Sequence, residues 1–317
     1  ASRPVLEAAR IAIDALARCM PVSKLVAITW LGLAVVPLMG SLITEPAAMT
    51  LAALLLKHVL FNSALPVWVR YGGIGVLFVN ISIGGTLTNF AAPPVLMVAA
   101  KWEWSSLFML SQFGWKAAVA VLVNSIAVSW FFRAELIALK TNSDKSSGDT
   151  CPYPVAAVHL GFLLAVIVCA HHPVVFMGLL LFFIGYTTAY SAHQDRLIFR
   201  EALLVAFFLA GLVVLGGLQQ WWLQTALVGV DSKVLFFIAT GLTAITDNAA
   251  LTYLASLLEG TSAEFRYAIV AGAVTGGGLT VIANAPNPAG ISILKDSFPD
   301  QAVSPLRLAW AALLPTA

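Results

Sequence analysis

The sequence predicts an all-α, polytopic membrane protein built as an inverted repeat, with two re-entrant hairpins and two discontinuous helices. Three observations lead there. Of 317 residues, 60% are hydrophobic and only 10% charged, with a mean hydropathy of +0.92, whereas soluble domains carry about a quarter charged residues. Stretches such as 155–170, 174–190 and 202–218 approach the roughly 20 apolar residues that an α-helix needs to cross a bilayer. Two motifs also recur in the same order. ITEPAAMTLAALLL (43–56) and ITDNAALTYLASLL (245–258) are identical at eight of fourteen positions. GGTLTNFAAPPVLMVAAK and GGGLTVIANAPNPAGISILK share GG, then LT, then a proline seven residues before a lysine (Pro94 and Lys101, Pro288 and Lys295). Alternation with period two is absent, which argues against a transmembrane barrel.

Along the chain, residues 4–19 place Val5, Leu6, Ala9, Ile13, Leu16 and Ala17 on one face and Glu7, Arg10, Asp14 and Arg18 largely on the other. That pattern is an amphipathic interfacial helix, too charged to span. Segments 24–44 and 46–62 follow, split at Glu45-Pro46, and a span over 67–83 runs into the glycine and proline stretch 84–94 and on to Lys101. Residues 105–132 read as one long crossing, and the polar run 140–152 (KTNSDKSSGDTCP) as a loop. Three spans come next, then 219–229 (QQWWLQTALVG), whose tryptophans suit the membrane interface. Segments 233–245 and 249–259 are too short to cross roughly 30 Å at 1.5 Å per residue. A re-entrant hairpin with its tip at Thr246, Asp247 and Asn248 resolves the length problem. Residues 267–275 enter the stretch 276–288, and 304–316 close the chain.

The domain boundaries follow from the duplication: 1–140 is the first repeat, incomplete, 141–152 a polar linker, and 153–317 the second repeat. Between the tips at Glu45 and Asp247 lie five predicted crossings, around 67–101, 105–132, 154–170, 174–191 and 197–218. An odd number puts the tips on opposite sides of the membrane, which is the plan of secondary transporters with cargo at broken helices near the midplane. The second repeat has three spans ahead of its interfacial segment and the first has none, so roughly three N-terminal helices are expected beyond this chain, which begins at Ala1. The last segment is also short beside its counterpart 105–132.

These motifs, TDNAALTYLASL and GGGLTVIANAPNPAG above all, resemble the sodium/proton antiporter family of the ion transporter superfamily, whose relatives include arsenite, citrate and dicarboxylate carriers. The resemblance runs from about residue 24 onward. It implies a scaffold part and a transport part, a binding site formed by hairpin tips and broken helices, a homodimer, and a multi-pass position in the bacterial inner membrane. Carried over, the tips are Thr44 with Glu45 and Thr246 with Asp247 and Asn248, and the broken helices are 84–94 and 276–288.

The chemistry can also be argued from the residues. A carboxylate inside the membrane is costly, about 2.5 to 3.5 kcal/mol on insertion scales, and usually faces a cavity with work to do. Asp247 has no basic neighbour in its own hairpin. A proton and a cation should therefore compete for it, which is the simplest antiport mechanism. Thr246, Asn248, Thr280, Asn284 and Asn287 supply hard oxygens beside freed carbonyls, and Thr44, Glu45, Thr86, Thr88 and Asn89 are the first-half partners. The alternative readings are a helix cap for Asp247 and a helix start for Glu45-Pro46.

Other polar residues carry less. His171-His172 before Pro173 reads as an interfacial turn, His159 as a satisfied buried histidine or a proton relay, and Lys116 as either paired with a carboxylate or facing the cavity. Lys57 and His58 fall near a hairpin mouth, and Lys101 and Lys295 are placed to snorkel. Cys19, Cys151 and Cys169 have no metal spacing, Asn80-Ile81-Ser82 lies in an apolar run where no glycan attaches, and no removable signal peptide is evident. No cofactor and no nucleic-acid partner is implied. Arg133, Lys140 and Lys145 favour a cytoplasmic central loop, while Asp144 and Asp149 in the same region carry little weight.

Three function classes follow. A transporter exchanging an alkali cation, sodium foremost, for protons is favoured by acids at both tips. An anion carrier for an arsenite-like oxyanion or a carboxylate shares the architecture but predicts neutral or basic tips. An intramembrane enzyme finds no support, since HExxH, GxSxG and paired aspartates on neighbouring spans are all absent.

Overall fold

The computed structural model describes residues 2–139, 152–169, 172–194, 197, 199–219 and 230–317. The linker expected at 141–152, apart from Pro152, lies outside the described residues, as do His171 and positions 220–229 of the interfacial segment. Among the described residues all regular structure is helical.

Helix α1 (Arg3–Cys19) buries Ile13 and Ala17 and exposes Arg10 and Arg18, as the amphipathic pattern predicts. Leu16, expected on the apolar face, is instead half exposed. Helices α2 (Lys24–Leu33) and α3 (Val35–Ile43) form a single apolar rod, Lys24–Ile43, interrupted at Ala34. The interruption has a covalent cause. Pro37 has no N–H to return to the Leu33 carbonyl, and Asn80 Nδ2 donates to that carbonyl instead at 2.8 Å. The chain then turns at Thr44, with φ at 76°, into α4 (Glu45–Leu56). Pro46 sits in the first turn of α4, where its missing N–H costs nothing.

Helix α5 (Val67–Gly84) is the central post. It packs against α3, α4, α8 (Trp115–Phe131), α15 (Ala263–Gly276) and α17 (Pro305–Thr316), so most of its length is buried. It ends in a 3-10 turn at Gly85–Leu87, and α6 (Pro93–Ala99) starts only after an irregular stretch. The long crossing is continuous over Ser106–Phe131 but contains a π-helical turn, Leu110–Gly114, between α7 (Ser106–Met109) and α8. Trp130 under Arg133 of α9 (Arg133–Ala138) marks its far end, with the guanidinium 3.6 Å from the ring centre.

Helices α10 (Tyr153–Val168), α11 (Pro173–Ala189) and α12 (Phe199–Gly216) follow. After them come α13 (Ser232–Thr243), α14 (Asn248–Ser256), α15, α16 (Asn287–Leu294) and α17. Among the described residues three helical stretches are long and apolar enough to cross a membrane: Lys24–Ile43, Val67–Leu87 and Ser106–Phe131. Helices α10 and α11, read as spans from sequence, are apolar but have 16 and 17 residues, a little under the usual requirement.

The two halves interlock. Helix α4, after the first acidic turn, packs on α16, which follows the second break, while α14, after the second acidic turn, packs on α6, which follows the first. Helices α13 and α15 pack closely, with Gly272 and Gly276 against the Phe236 and Thr240 carbonyls and no room for a Cβ. This is the small-xxx-small solution to helix packing in a membrane, where apolar surface alone gives no preference for protein over lipid. Gly276→Val is therefore expected to destabilise the protein by about 1–3 kcal/mol through overpacking. Gly241→Ala, with open space at its Cβ, should change little. Thermal unfolding of both variants in detergent checks the contrast.

Candidate functional site

The two breaks, after α5 and after α15, are tied by side-chain hydrogen bonds to the segments that lead into the acidic turns. At the first, Ser41 Oγ donates to the Gly84 carbonyl at 2.7 Å and accepts from Leu87 N at 2.9 Å, while Thr88 Oγ1 donates to the Ser41 carbonyl at 2.6 Å. At the second, Thr280 Oγ1 donates to the Ala244 carbonyl at 2.8 Å. Thr88 and Thr280 are the same position of the two GGxLT motifs, and each reaches the last turn before an acidic tip. Asn287 completes the second clamp by donating to the Gly277 and Thr280 carbonyls, both at 2.8 Å. Ser82 Oγ ties α5 to α15 through the Val274 carbonyl at 2.7 Å. Irregular backbone inside a membrane protein needs such donors, because no solvent is at hand to satisfy it.

Glu45 lies where these elements meet and is fully buried. Its Oε2 accepts from Asn284 Nδ2 at 2.9 Å, and its Oε1 has no donor among the described residues. Gly85 forms the wall behind the carboxylate, and any Cβ there would collide with Oε1. Asn248, Asn284 and Asn287 are buried as well, and each leaves its Oδ1 without a donor among the described residues. Asn248 is tied in by its backbone, which donates to the Ala283 carbonyl at 3.0 Å, and its Nδ2 abuts Gly277. A buried polar group without a partner costs about 1–3 kcal/mol. Around the acidic turns one carboxylate oxygen and three amide oxygens are thus buried without a donor among the described residues, and Asn248 Nδ2 is buried without an acceptor. Such a set of oxygens is suited to a hard cation, and Glu45 adds a proton acceptor.

The other sequence-predicted residues are placed as follows. Asp247 is half buried and caps α14, its Oδ1 accepting from Ala249 N at 2.9 Å and Ala250 N at 3.0 Å. It is also near enough to Glu45 to act on it electrostatically. Thr44 and Thr246 are exposed at their turns, and Thr246 Oγ1 bonds back to the Leu242 carbonyl. Thr86 Oγ1 donates to the Ile83 carbonyl. Asn89 turns elsewhere: it donates to the Trp104 carbonyl and accepts from Ser106 Oγ, both at 2.8 Å. The acids and amides of the two halves are thus brought together, while Thr44, Thr246 and Asn89 are not part of that junction.

Sequence reasoning missed Ser41, Ser82 and Asn80. Asn80 donates to Leu33 and Ser125 and accepts from Asn124, a buried network joining α2, α5 and α8. Their only signal was a small polar residue in an apolar run. Among the described residues no lysine, arginine or histidine pairs with Glu45 or Asp247. His159 is buried and bonded through Nδ1 to Ser2 Oγ at 2.8 Å, against Phe183 and Tyr186. It faces an apolar cavity of about 590 Å³ that reaches Thr44.

Comparison with protein families matches residues 1–317 to the family described as "Putative Na+/H+ antiporter". Neither curated proteins nor solved structures gave a match. The family description is of a transporter, and the long apolar helices agree with an integral membrane protein. Matched over residues 1–317, the chain belongs to the family described as "Putative Na+/H+ antiporter".

Proposed function

We propose that the chain carries the exchange site of a multi-pass secondary transporter that trades an alkali cation, most simply sodium, for protons by alternating access. One observation carries this reading: the buried Glu45 carboxylate, without a basic partner among the described residues, beside the unsatisfied oxygens of Asn248, Asn284 and Asn287. A cation bound there satisfies all of these acceptors at once. A proton on Glu45 neutralises the only buried charge among them. Because both loads use the same carboxylate, binding one expels the other.

The rest of the reading is architectural. Helices α13 and α14 act as a re-entrant hairpin; α3, although it continues a rod long enough to cross, turns back at Thr44 into α4 as the matching hairpin, and the chain is an inverted repeat with broken helices at 84–94 and 276–288. The paired motifs, the matching Thr88 and Thr280 clamps and the crossed α4–α16 and α14–α6 packing support this. Asp247 supplies fixed negative potential beside Glu45 while ordering α14. Thr280 and Thr88 hold the breaks, and Thr44 and Thr246 flank the routes to the site. A homodimer in the bacterial inner membrane is the assembly we expect. Acids at both tips weigh against an anionic cargo.

In liposomes holding the full-length protein, a sodium pulse should drive proton movement, and Glu45→Gln should reduce it to background while the protein stays folded. Equal rates in wild type and Glu45→Gln would refute the site. Competition also sets a sign with pH: the apparent affinity for sodium should fall on acidification, approaching about tenfold per unit where the proton dominates. Flux measured against sodium concentration at several pH values tests it. The two roles of Asp247 separate by substitution. Asp247→Ala removes an N-cap and should cost about 0.5–2 kcal/mol in thermal unfolding, whereas Asp247→Asn keeps the cap and should alter sodium affinity with little loss of stability.

A further inference from the structure

A second cavity, of about 620 Å³, opens beside α5, between α8, α15 and α17. Its size falls in the range of small-molecule sites. Its one charged side chain among the lining residues is Lys116. In the stretch Ser106–Phe131, with 26 residues, Lys116 lies about 4 Å from the middle at 1.5 Å per residue. A cation at that depth is costly and ordinarily has an anionic partner. Here it has none: among the described residues Nζ donates to Tyr267 Oη at 2.8 Å and lies 4.5 Å from that ring's centre, and no carboxylate pairs with it.

Tyr267 is the polar group at the ammonium; Thr86, Asn124, Thr275 and Thr316 line the cavity elsewhere, and the rest of the wall is largely apolar, with Val79, Phe113 and Val119. No aspartate or glutamate side chain lines the cavity. The neighbouring Trp115, Val119 and Val123 are more than half exposed, so the mouth faces the lipid side of α8. A second copy of the chain offers no carboxylate from its own candidate spans, since Lys24–Ile43, Val67–Leu87 and Ser106–Phe131 contain neither aspartate nor glutamate.

We propose that this cavity binds an amphiphilic organic acid, its carboxylate on Lys116 and Tyr267 and its hydrocarbon tail along the apolar wall. The pairing is a charge-assisted hydrogen bond in a medium of low dielectric, where such bonds are strong. Glu45, Asn248, Asn284 and Asn287 do not line this cavity, although Thr86, next to Gly85, does, and the proposal does not depend on the exchange reading.

Trp115 at the mouth provides the readout. The purified full-length protein in detergent is titrated with a bromine-tailed undecanoate and, in parallel, with the bromo-alcohol of the same length, and tryptophan quenching is followed. The acid should quench saturably at a concentration about tenfold or more below the alcohol, equivalent to about 1.4 kcal/mol. Lys116→Met should erase that preference and Lys116→Arg should keep it. Should Lys116→Met fail to fold in a melting assay, Tyr267→Phe carries the test by weakening the acid several-fold with the charge in place. Laurate should displace the quencher where butyrate does not. Equal quenching by acid and alcohol, an acid preference that survives Lys116→Met, equal displacement by butyrate, or no saturable quenching because a protein segment covers the cavity would each overturn the proposal.

Discussion

The structure turns on one constraint: a carboxylate, that of Glu45, is fully buried with a single amide donor and no basic side chain paired with it among the described residues. Burying an ionised carboxylate is among the most expensive arrangements a fold can make. The surroundings reduce the cost without removing it. Pro46 lets α4 start at the acid, Gly85 leaves room for Oε1, and Asn284 comes from the opposite half of the chain to donate. What remains without a partner among the described residues is Glu45 Oε1 from the first half and the side-chain oxygens of Asn248, Asn284 and Asn287 from the second. The arrangement is intelligible as a binding site and hard to explain as a stabilising core.

Keeping that junction open requires broken helices, and broken helices require substitutes for lost backbone hydrogen bonds. The chain supplies them with short polar side chains placed at the breaks. Ser41 serves Gly84 and Leu87, Asn287 serves Gly277 and Thr280, and Thr280 serves Ala244. The same logic extends away from the site, where Asn80 takes over the carbonyl that Pro37 frees. Each clamp links two elements, so the breaks and the interlocking of the halves are one feature.

Much of this was legible in the sequence because the signals are covalent. Proline and glycine mark where α4, α6 and α16 begin and where α5 and α15 end, and the repeated GGxLT motifs point to two equivalent breaks. Tertiary placement was not legible. Glu45 and Asp247 occupy matching positions in their motifs, yet burial separates them: one is enclosed, and the other caps a helix near the surface. Thr88 and Asn89 are neighbours in the sequence, but one clamps a break and the other turns toward Trp104. The π turn at Leu110–Gly114 has no local signature, since it arises where Gly114 packs against Leu87. Ser41 and Ser82 could not be singled out because their importance lies in the carbonyls they meet, which are distant in sequence.

The central claim, that one buried carboxylate exchanges a proton for a cation, is tested most directly at equilibrium. Sodium is added to the detergent-solubilised protein in weakly buffered solution, and proton release is read with a pH indicator, with potassium and choline as controls for ionic strength. The account predicts saturable release with sodium that disappears in Glu45→Gln and persists in Asn89→Ala. Sodium binding without proton release, or release that Glu45→Gln leaves intact, would contradict it.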